Sequence, residues 1–184
     1  RKKVSFEAWE ELEEQMLTRL AGGESPADVL EQKPFPKLRG SSWKRTAKEM
    51  MDDGVDDSRF GRALGWFAQS IRVLNGERRQ KVEDLGWADA FDRAEARSPE
   101  PGDPDAIVAD WIADEIWALE WADDGNFALM QADLATRHAI CLDIRKRIES
   151  RGARPDRAAA EAVAVVDLVG DSEWWSDLRA LMVV

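Results

Sequence analysis

The sequence predicts an all-α fold in which an N-terminal helix-turn-helix-like bundle is followed by an antiparallel helical hairpin. Apolar residues recur at spacings of three and four, which is the period of a helix with one buried face. Strand-like alternation is lacking over most of the 184 residues. With 44% hydrophobic and 34% charged residues, the chain has the composition of a globular protein with a sizeable core.

Composition also limits the compartment and the partners. The single cysteine, Cys141, excludes an internal disulfide and is typical of a reducing compartment. The apolar runs are too short to cross a bilayer and the start shows no signal-peptide pattern, so we expect a cytoplasmic protein without membrane contact. A net charge of −11 argues against a protein that coats nucleic acid along its whole surface.

Residues 1–54 predict a module of three helices. The first helix presents one apolar stripe and is closed by paired glycines. A short second helix follows, then a proline-containing turn, and then a third helix with a buried and a basic face. Serines at the three helix starts are the predicted N-caps: Ser5, Ser25, and Ser41 or Ser42.

Residues 33–48 contain basic residues but no acidic residue, which is unusual in an acidic chain. A helix, a short helix, a turn and a basic helix form the layout of a helix-turn-helix, whose last helix lies in the major groove of DNA. Basic side chains there reach phosphates and guanine edges. The alternative is a solvated positive face, or a salt-bridge partner for the acidic N-terminus. The basic residues are Lys33, Lys37, Arg39, Lys44, Arg45 and Lys48.

Residues 55–97 predict additional helices, one over residues 59–75 and a shorter one over residues 82–97. A second, looser basic cluster begins near the end of the first of these helices and continues after it. Residues 98–104 contain three prolines and one glycine in seven positions, so we place a linker and a domain boundary there. The members of the looser cluster are Arg72, Arg78, Arg79 and Lys81.

Residues 105–152 predict the hairpin, with residues 123–126 as the reversal because Gly and Asn tolerate positive φ. Its first helix is apolar around more than half of its circumference, so it needs neighbours from the same chain or from other copies. We interpret the hairpin as an oligomerisation element. The predicted contact residues are Trp111, Ile112, Ile116, Trp117, Leu119, Trp121, Met130, Leu134, Cys141, Ile144 and Ile148.

Residues 153–184 form a predicted C-terminal extension. Within it, residues 162–169 are rich enough in β-branched side chains for a strand, although a helix is favoured. Ser172 caps a final short helix that carries Trp174 and Trp175.

The sequence offers little for catalysis or metal binding. His138 and Cys141 stand three residues apart on one helix, but two ligands fall short of the three or four of a usual metal site. No activated serine context and no phosphate-binding glycine loop is present. Acidic residues such as Asp110, Asp114 and Glu115 have the spacing of a solvated helix face. We therefore predict a protein that is not an enzyme, with no cofactor and no metal.

With these residues in view, the chain resembles the small terminase subunit of tailed phages, the DNA-recognition component of the genome-packaging motor. The N-terminal resemblance is carried by residues 17–25 (LTRLAGGES), by the pair Phe35 and Pro36, and by Trp43, Lys44 and Arg45. Residues 112–116 (IADEI), residues 122–125 (ADDG) and the helix over residues 132–154 resemble the family's oligomerisation hairpin.

The resemblance implies a ring-shaped homo-oligomer that binds the packaging site on double-stranded DNA. It also implies a separate large terminase subunit, holding the ATPase and the nuclease, as the regulated partner. A ring raises the effective concentration of a weakly binding module at a repeated site. Carried over to this sequence, DNA contact falls to Lys37, Arg39, Ser41, Ser42, Lys44, Arg45 and Lys48.

Two other readings compete with this one. A non-enzymatic acidic interaction protein, either a phage or host regulator or a DNA mimic, would bind a basic partner, and the net charge of −11 favours it. A helical enzyme with a carboxylate site ranks last, because no convergent cluster of titratable residues is visible in the sequence.

Overall fold

The structure is a computed structural model that describes residues 3–117 and 126–184. These residues are mostly helical, with one very small antiparallel sheet, which confirms the predicted all-α class. In the sheet, Lys37 lies opposite Val183 and Leu38 lies opposite Met182. The elements are α1 (Phe6–Ala21), α2 (Pro26–Leu30), β1 (Lys37–Leu38), α3 (Trp43–Asp53), α4 (Arg59–Leu74), α5 (Ala88–Arg97), α6 (Pro104–Trp117), α7 (Phe127–Glu149), α8 (Pro155–Gly170), α9 (Glu173–Leu181) and β2 (Met182–Val183).

The helix starts follow the capping residues of the sequence. The side chains of the predicted N-caps Ser5, Ser25 and Ser172 each accept a backbone N–H three residues further on. Of the two serines open for α3, Ser42 is the cap. The region over residues 162–169 is helix, because Pro155 starts α8 and the helix continues without interruption to Gly170.

Helix α8 is the central element of the core. It packs against α7, α6 and α4, and less extensively against α9 and α5. Its alanines Ala158, Ala159 and Ala162 are fully buried, and their small size lets neighbouring helices approach closely. The buried apolar residues form one core cluster, which runs from Trp9 in α1 to Met182 in β2 and so includes residues on both sides of the predicted linker.

The hairpin architecture is not confirmed. Helices α6 and α7 share only a small direct contact, and each packs mainly against α8 of the same chain. The predicted reversal at residues 123–125 lies outside the described residues, while Asn126 caps α7 by accepting the N–H of Leu129.

The helix-turn-helix arrangement is likewise not confirmed. Helix α3 packs chiefly against α4, whereas α2 packs against α7 and α1. In a helix-turn-helix the helix before the turn packs directly against the recognition helix that follows it. Here α4 makes that contact, so the basic helix is positioned by the additional helices and not by the module of residues 1–54 alone.

Candidate functional site

Helix α3 presents the predicted DNA-binding cations on its exposed face. Lys44, Arg45 and Lys48 are exposed, while Trp43, Thr46, Ala47 and Met50 are buried on the opposite face. The indole of Trp43 donates its N–H to the carbonyl of Pro36 at 2.6 Å, which ties the helix to the turn before it. The three cations are therefore held on an anchored helix, with their charged ends in solvent.

Lys37 and Arg39 are held by the C-terminal residues of the chain. Lys37 lies in β1, whose partner is β2. The backbone N–H of Arg39 donates to the carbonyl of Leu181 at 2.9 Å, and its guanidinium donates to the carbonyl of Ala180 at 2.7 Å. Both residues are exposed, so this small sheet presents two more cations from a fixed backbone.

The two serines predicted for DNA contact already take part in the start of α3. The side chain of Ser42 accepts the N–H of Arg45 at 3.2 Å. The hydroxyls of Ser41 and Thr46 lie 3.1 Å apart. Ser42 is therefore the N-cap, one of the two candidates that the sequence offered, and Ser41 contacts the side chain of Thr46.

Two of the five cations have acidic neighbours on the same helix. Arg45 contacts Glu49 at 2.9 Å, and Lys48 contacts Asp52 at 2.6 Å. The hydrogen bond that Lys48 donates to the carboxylate of Asp52 raises the pKa of Lys48. Exposed ion pairs of this kind contribute little to stability, so a phosphate can replace either carboxylate at small cost. Within the described residues, Lys37 and Lys44 have no ion-pair partner.

Most residues predicted for oligomerisation lie inside the chain's own core. The sequence required neighbours for them from the same chain or from other copies, and the structure supplies α8 and α4 of the same chain. Trp117, in contrast, is 71% exposed. Leu119 and Trp121 lie outside the described residues. The buried residues are Trp111, Ile112, Ile116, Met130, Leu134, Cys141, Ile144 and Ile148.

His138 and Cys141 are also buried in this core. Burial lowers the pKa of His138 to about 4, and burial raises the pKa of the Cys141 thiol to about 12. Both side chains are therefore neutral near pH 7. Among residues 3–117 and 126–184, no three His, Cys, Asp or Glu side chains are grouped closely enough to hold a metal ion.

A cavity of about 600 Å³, here called the acidic cleft, opens between α6, α8 and α9. Its polar lining contains more carboxylates than cations, so its field favours cationic groups. The helix spacing that predicted a solvated face for Asp110, Asp114 and Glu115 does place them on one surface, but that surface lines a cavity. The charged lining residues are Asp110, Asp114, Glu115, Asp167, Asp171, Arg137 and Arg179.

Beside the acidic cleft lies a buried ionic network. Arg137 contacts Glu115 at 2.5 Å and Asp133 at 3.3 Å, and the indole of Trp175 donates to Asp133 at 2.7 Å. Desolvation raises the pKa of the fully buried Asp133, although Arg137 opposes the shift. For Arg137, desolvation is outweighed by Asp133 and Glu115, so its pKa is raised and its charge is retained. The network fixes the wall of the cleft.

Comparison with protein-family models, with curated proteins and with solved structures finds no match to this chain.

Sequence reasoning missed the network of Asp133, Arg137 and Trp175. A signal was present, because Asp133 and Arg137 stand four residues apart on a helix whose other residues are mostly apolar or small. In the sequence, two opposite charges at that spacing are equally consistent with an ion pair on the exposed face of the helix. Only the packing of α8 and α9 over this part of α7 shows that the pair is buried.

No helix among the described residues has both the length and the apolar character that spanning a bilayer requires.

Proposed function

We propose that this chain is a non-enzymatic DNA-recognition protein that binds double-stranded DNA through one basic surface, formed by Lys37, Arg39, Lys44, Arg45 and Lys48. The observation that carries the proposal is the exposed cationic face of α3, whose opposite face is anchored by Trp43, Ala47 and Met50. Because the backbone of the helix is already fixed, contact with a phosphate orders only the side chains of these cations and not the backbone.

The wider role in this proposal is that of a small terminase subunit, which recognises the packaging site of a viral genome and regulates a separate large subunit. The net charge of −11 makes a single copy a weak DNA binder. Several copies in a ring would present several basic surfaces together and raise the effective concentration at a repeated site. A location in the host cytoplasm belongs to the same proposal.

The test is binding to a short DNA duplex, measured by fluorescence anisotropy over a series of salt concentrations. In the double variant K44A/K48A we expect weaker binding and a slope of log K against log salt that is smaller by about 2, because each lost phosphate contact removes about 0.9. The matched control R93A/R97A removes two exposed cations of α5 and should leave the slope unchanged. Equal slopes for both variants, or no duplex binding by the parent protein, would refute the proposal.

The acidic cleft supports a second candidate function, that of an acidic interaction protein whose partner is basic. Five carboxylates and two arginines line the cleft, so a segment rich in lysine or arginine would find a complementary field. The probe is an oligoarginine peptide. We expect D110N/D114N to weaken its binding, while E10Q/E11Q on the exposed surface of α1 should have little effect. If both variants weaken binding equally, the peptide responds to net charge and not to the cleft.

A further inference from the structure

Arg147 is a buried cation without a carboxylate partner. It is only 8% exposed, and its guanidinium lies over the indole of Trp66, 4.2 Å from the ring centroid. Its Nη1 donates to the carbonyl of Trp66 at 3.1 Å and lies 3.5 Å from the hydroxyl of Ser70. Within residues 3–117 and 126–184, no carboxylate oxygen lies within ion-pair distance of Arg147.

The acidic residue that acts on Arg147 through space is already engaged by other groups. One carboxylate oxygen of Asp143 accepts a hydrogen bond from Arg79 at 2.6 Å, and the other accepts one from Ser70 at 2.7 Å. The pKa of Arg147 is lowered to about 10, chiefly by desolvation. The positive charges of Arg79 and Arg151 also lower this pKa, and their effect is larger than the opposite effect of Asp143. Burying a charge without a counter-charge is costly, so this arrangement favours an added anion.

Arg147 borders a cavity of about 330 Å³, here called the basic cleft, whose ionisable lining residues are all cationic. Arg79 and Lys81 come from the segment after α4, while Arg147 and Arg151 come from the C-terminal end of α7 and the residues that follow it. The remaining lining residues are Gln80, Val82 and Ser150. Two basic clusters that are distant in the sequence therefore meet at one cavity.

Two arginines of the basic cleft, Arg147 and Arg151, lie over the buried indole ring of Trp66. Trp66 is 1% exposed and donates its indole N–H to the carbonyl of Glu83 at 2.7 Å. The guanidinium of Arg151 also lies over this ring, 4.6 Å from its centroid. The loose contact of Arg151 with the exposed Asp84, at 3.7 Å, does not neutralise it. Stacking on a buried ring orients both forks before a ligand arrives.

We propose that the basic cleft is a binding site for a phosphate group. Four cations around one small cavity complement the double charge of a phosphate better than the single charge of a carboxylate. Each arginine guanidinium can also donate two hydrogen bonds to a pair of phosphate oxygens. The phosphate can belong to a nucleic-acid backbone or to a free phosphate or nucleotide. The site is separate from the basic surface of α3 and does not depend on DNA binding by that surface.

The experiment uses thermal unfolding of the full chain with added inorganic phosphate and with chloride at the same ionic strength. A ligand that binds the folded state raises Tm. We expect phosphate to raise Tm more than chloride does, and K81A/R151A to weaken phosphate binding about a hundredfold, since two charge-assisted hydrogen bonds are lost and each contributes about tenfold. The control R93A/R97A, which removes two exposed cations of α5, should keep the full shift. Equal shifts with the two salts, or a full shift in K81A/R151A, would overturn the proposal.

A second variant separates ligand binding from a structural role of the arginine. Replacing Arg147 by methionine removes a buried, uncompensated charge while keeping an apolar chain over Trp66. We expect R147M to match or exceed the parent in Tm without phosphate, and to lose the shift with phosphate. A large loss of Tm in both conditions would show that Arg147 acts in packing alone and would contradict the site.

The source of the phosphate is decided with a short DNA duplex. If the phosphate belongs to a nucleic-acid backbone, K81A/R151A weakens duplex binding in addition to any effect of K44A/K48A. If it belongs to a small molecule, K81A/R151A abolishes the shift with inorganic phosphate and leaves duplex binding unchanged. Since K44A/K48A tests only the surface of α3, failure of that surface and failure of the basic cleft give different results.

Discussion

Trp175 donates its indole N–H to the buried carboxylate of Asp133, with 2.7 Å between Nε1 and Oδ1. This bond joins α9 to α7, and Trp175 also packs edge-on against Phe67 of α4. The segment predicted as a C-terminal extension is thus part of the core, and its last residues hold β1 with two of the proposed DNA-binding cations.

The bond between Trp175 and Asp133 leads to a prediction on stability. In W175F the ring still packs, but Asp133 loses a hydrogen-bond donor while remaining buried. We expect a loss of about 1–3 kcal/mol in the free energy of unfolding, which is the usual effect of leaving a buried polar group with fewer partners. Urea denaturation measures it. W174F, at a half-buried neighbouring position, is the control, and an equal loss there would show that aromatic packing alone is responsible.

A second prediction concerns acid stability. The guanidinium of Arg154 holds the pKa of Asp156 at about 2, with help from the N–H of Gly102 at 2.8 Å. Because the pKa is lowered on folding, the stabilisation is present above pH 4 and is lost as the pH falls from about 4 to about 2. In D156N we expect a loss of about 1 kcal/mol at pH 7, below the full pKa shift because solvent screens this pair.

The measurement for Asp156 is urea denaturation at several pH values between 2 and 7. The free energies of the parent and of D156N should converge at the acid end. A difference that stays constant down to pH 2 would mean that the charge of Asp156 is not the cause. Since Gly102 belongs to the predicted linker, the same data report how firmly that segment is fixed to α8.

Two glycines of α4 give a matched pair. A Cβ at Gly61 would lie 2.5 Å from the backbone nitrogen of Asp56, whereas a Cβ at Gly65 would meet Val55 at an ordinary 3.4 Å. We expect G61A to lower the free energy of unfolding by about 1–3 kcal/mol. G65A should raise it by up to about 1 kcal/mol, because alanine loses less backbone entropy in a helix. Similar effects of the two changes would contradict the close approach at Gly61.

Self-association is tested most directly at Trp117. Light scattering should give a mass that is a multiple of 20.7 kDa, as the ring proposal requires. Since Trp117 is 71% exposed while eight other predicted contact residues are buried, W117S should lower that mass. F6S changes another exposed aromatic residue and should leave the mass unchanged. A mass of 20.7 kDa at all concentrations would remove the ring from the proposed function.

The sequence predicted most helix starts, because these depend on nearby residues, but the helix expected over residues 82–97 begins only at Ala88. Ser5, Ser25 and Ser172 cap the helices they were expected to cap, and the β-branched segment of α8 is helical as favoured. The packing of the hairpin is not confirmed, and the sequence could not have decided it for a physical reason. An apolar face shows that a helix must be covered, but it does not show whether α8 of the same chain or another copy covers it.

The functional surfaces were predictable in part. The cations of α3 follow from composition and helical period, and the structure does expose them. The basic cleft could not be predicted as one site, since Arg79 and Arg147 are 68 positions apart and meet only because α4 packs against α7. The acidic cleft was hidden for the same reason, because Asp110 of α6 and Asp167 of α8 come from helices that the sequence alone does not bring together.

The central position of α8 also has a consequence for how the molecule is made. During translation, α1 to α7 are synthesised before α8 (Pro155–Gly170). The earlier helices therefore emerge before the helix against which α4, α6 and α7 pack. Their apolar faces stay exposed to solvent during that interval, and chaperones or other nascent chains can bind them. A translation stall at which α7 has left the ribosome but α8 has not should therefore leave a nascent chain that proteases cut readily, and emergence of α8 should protect it.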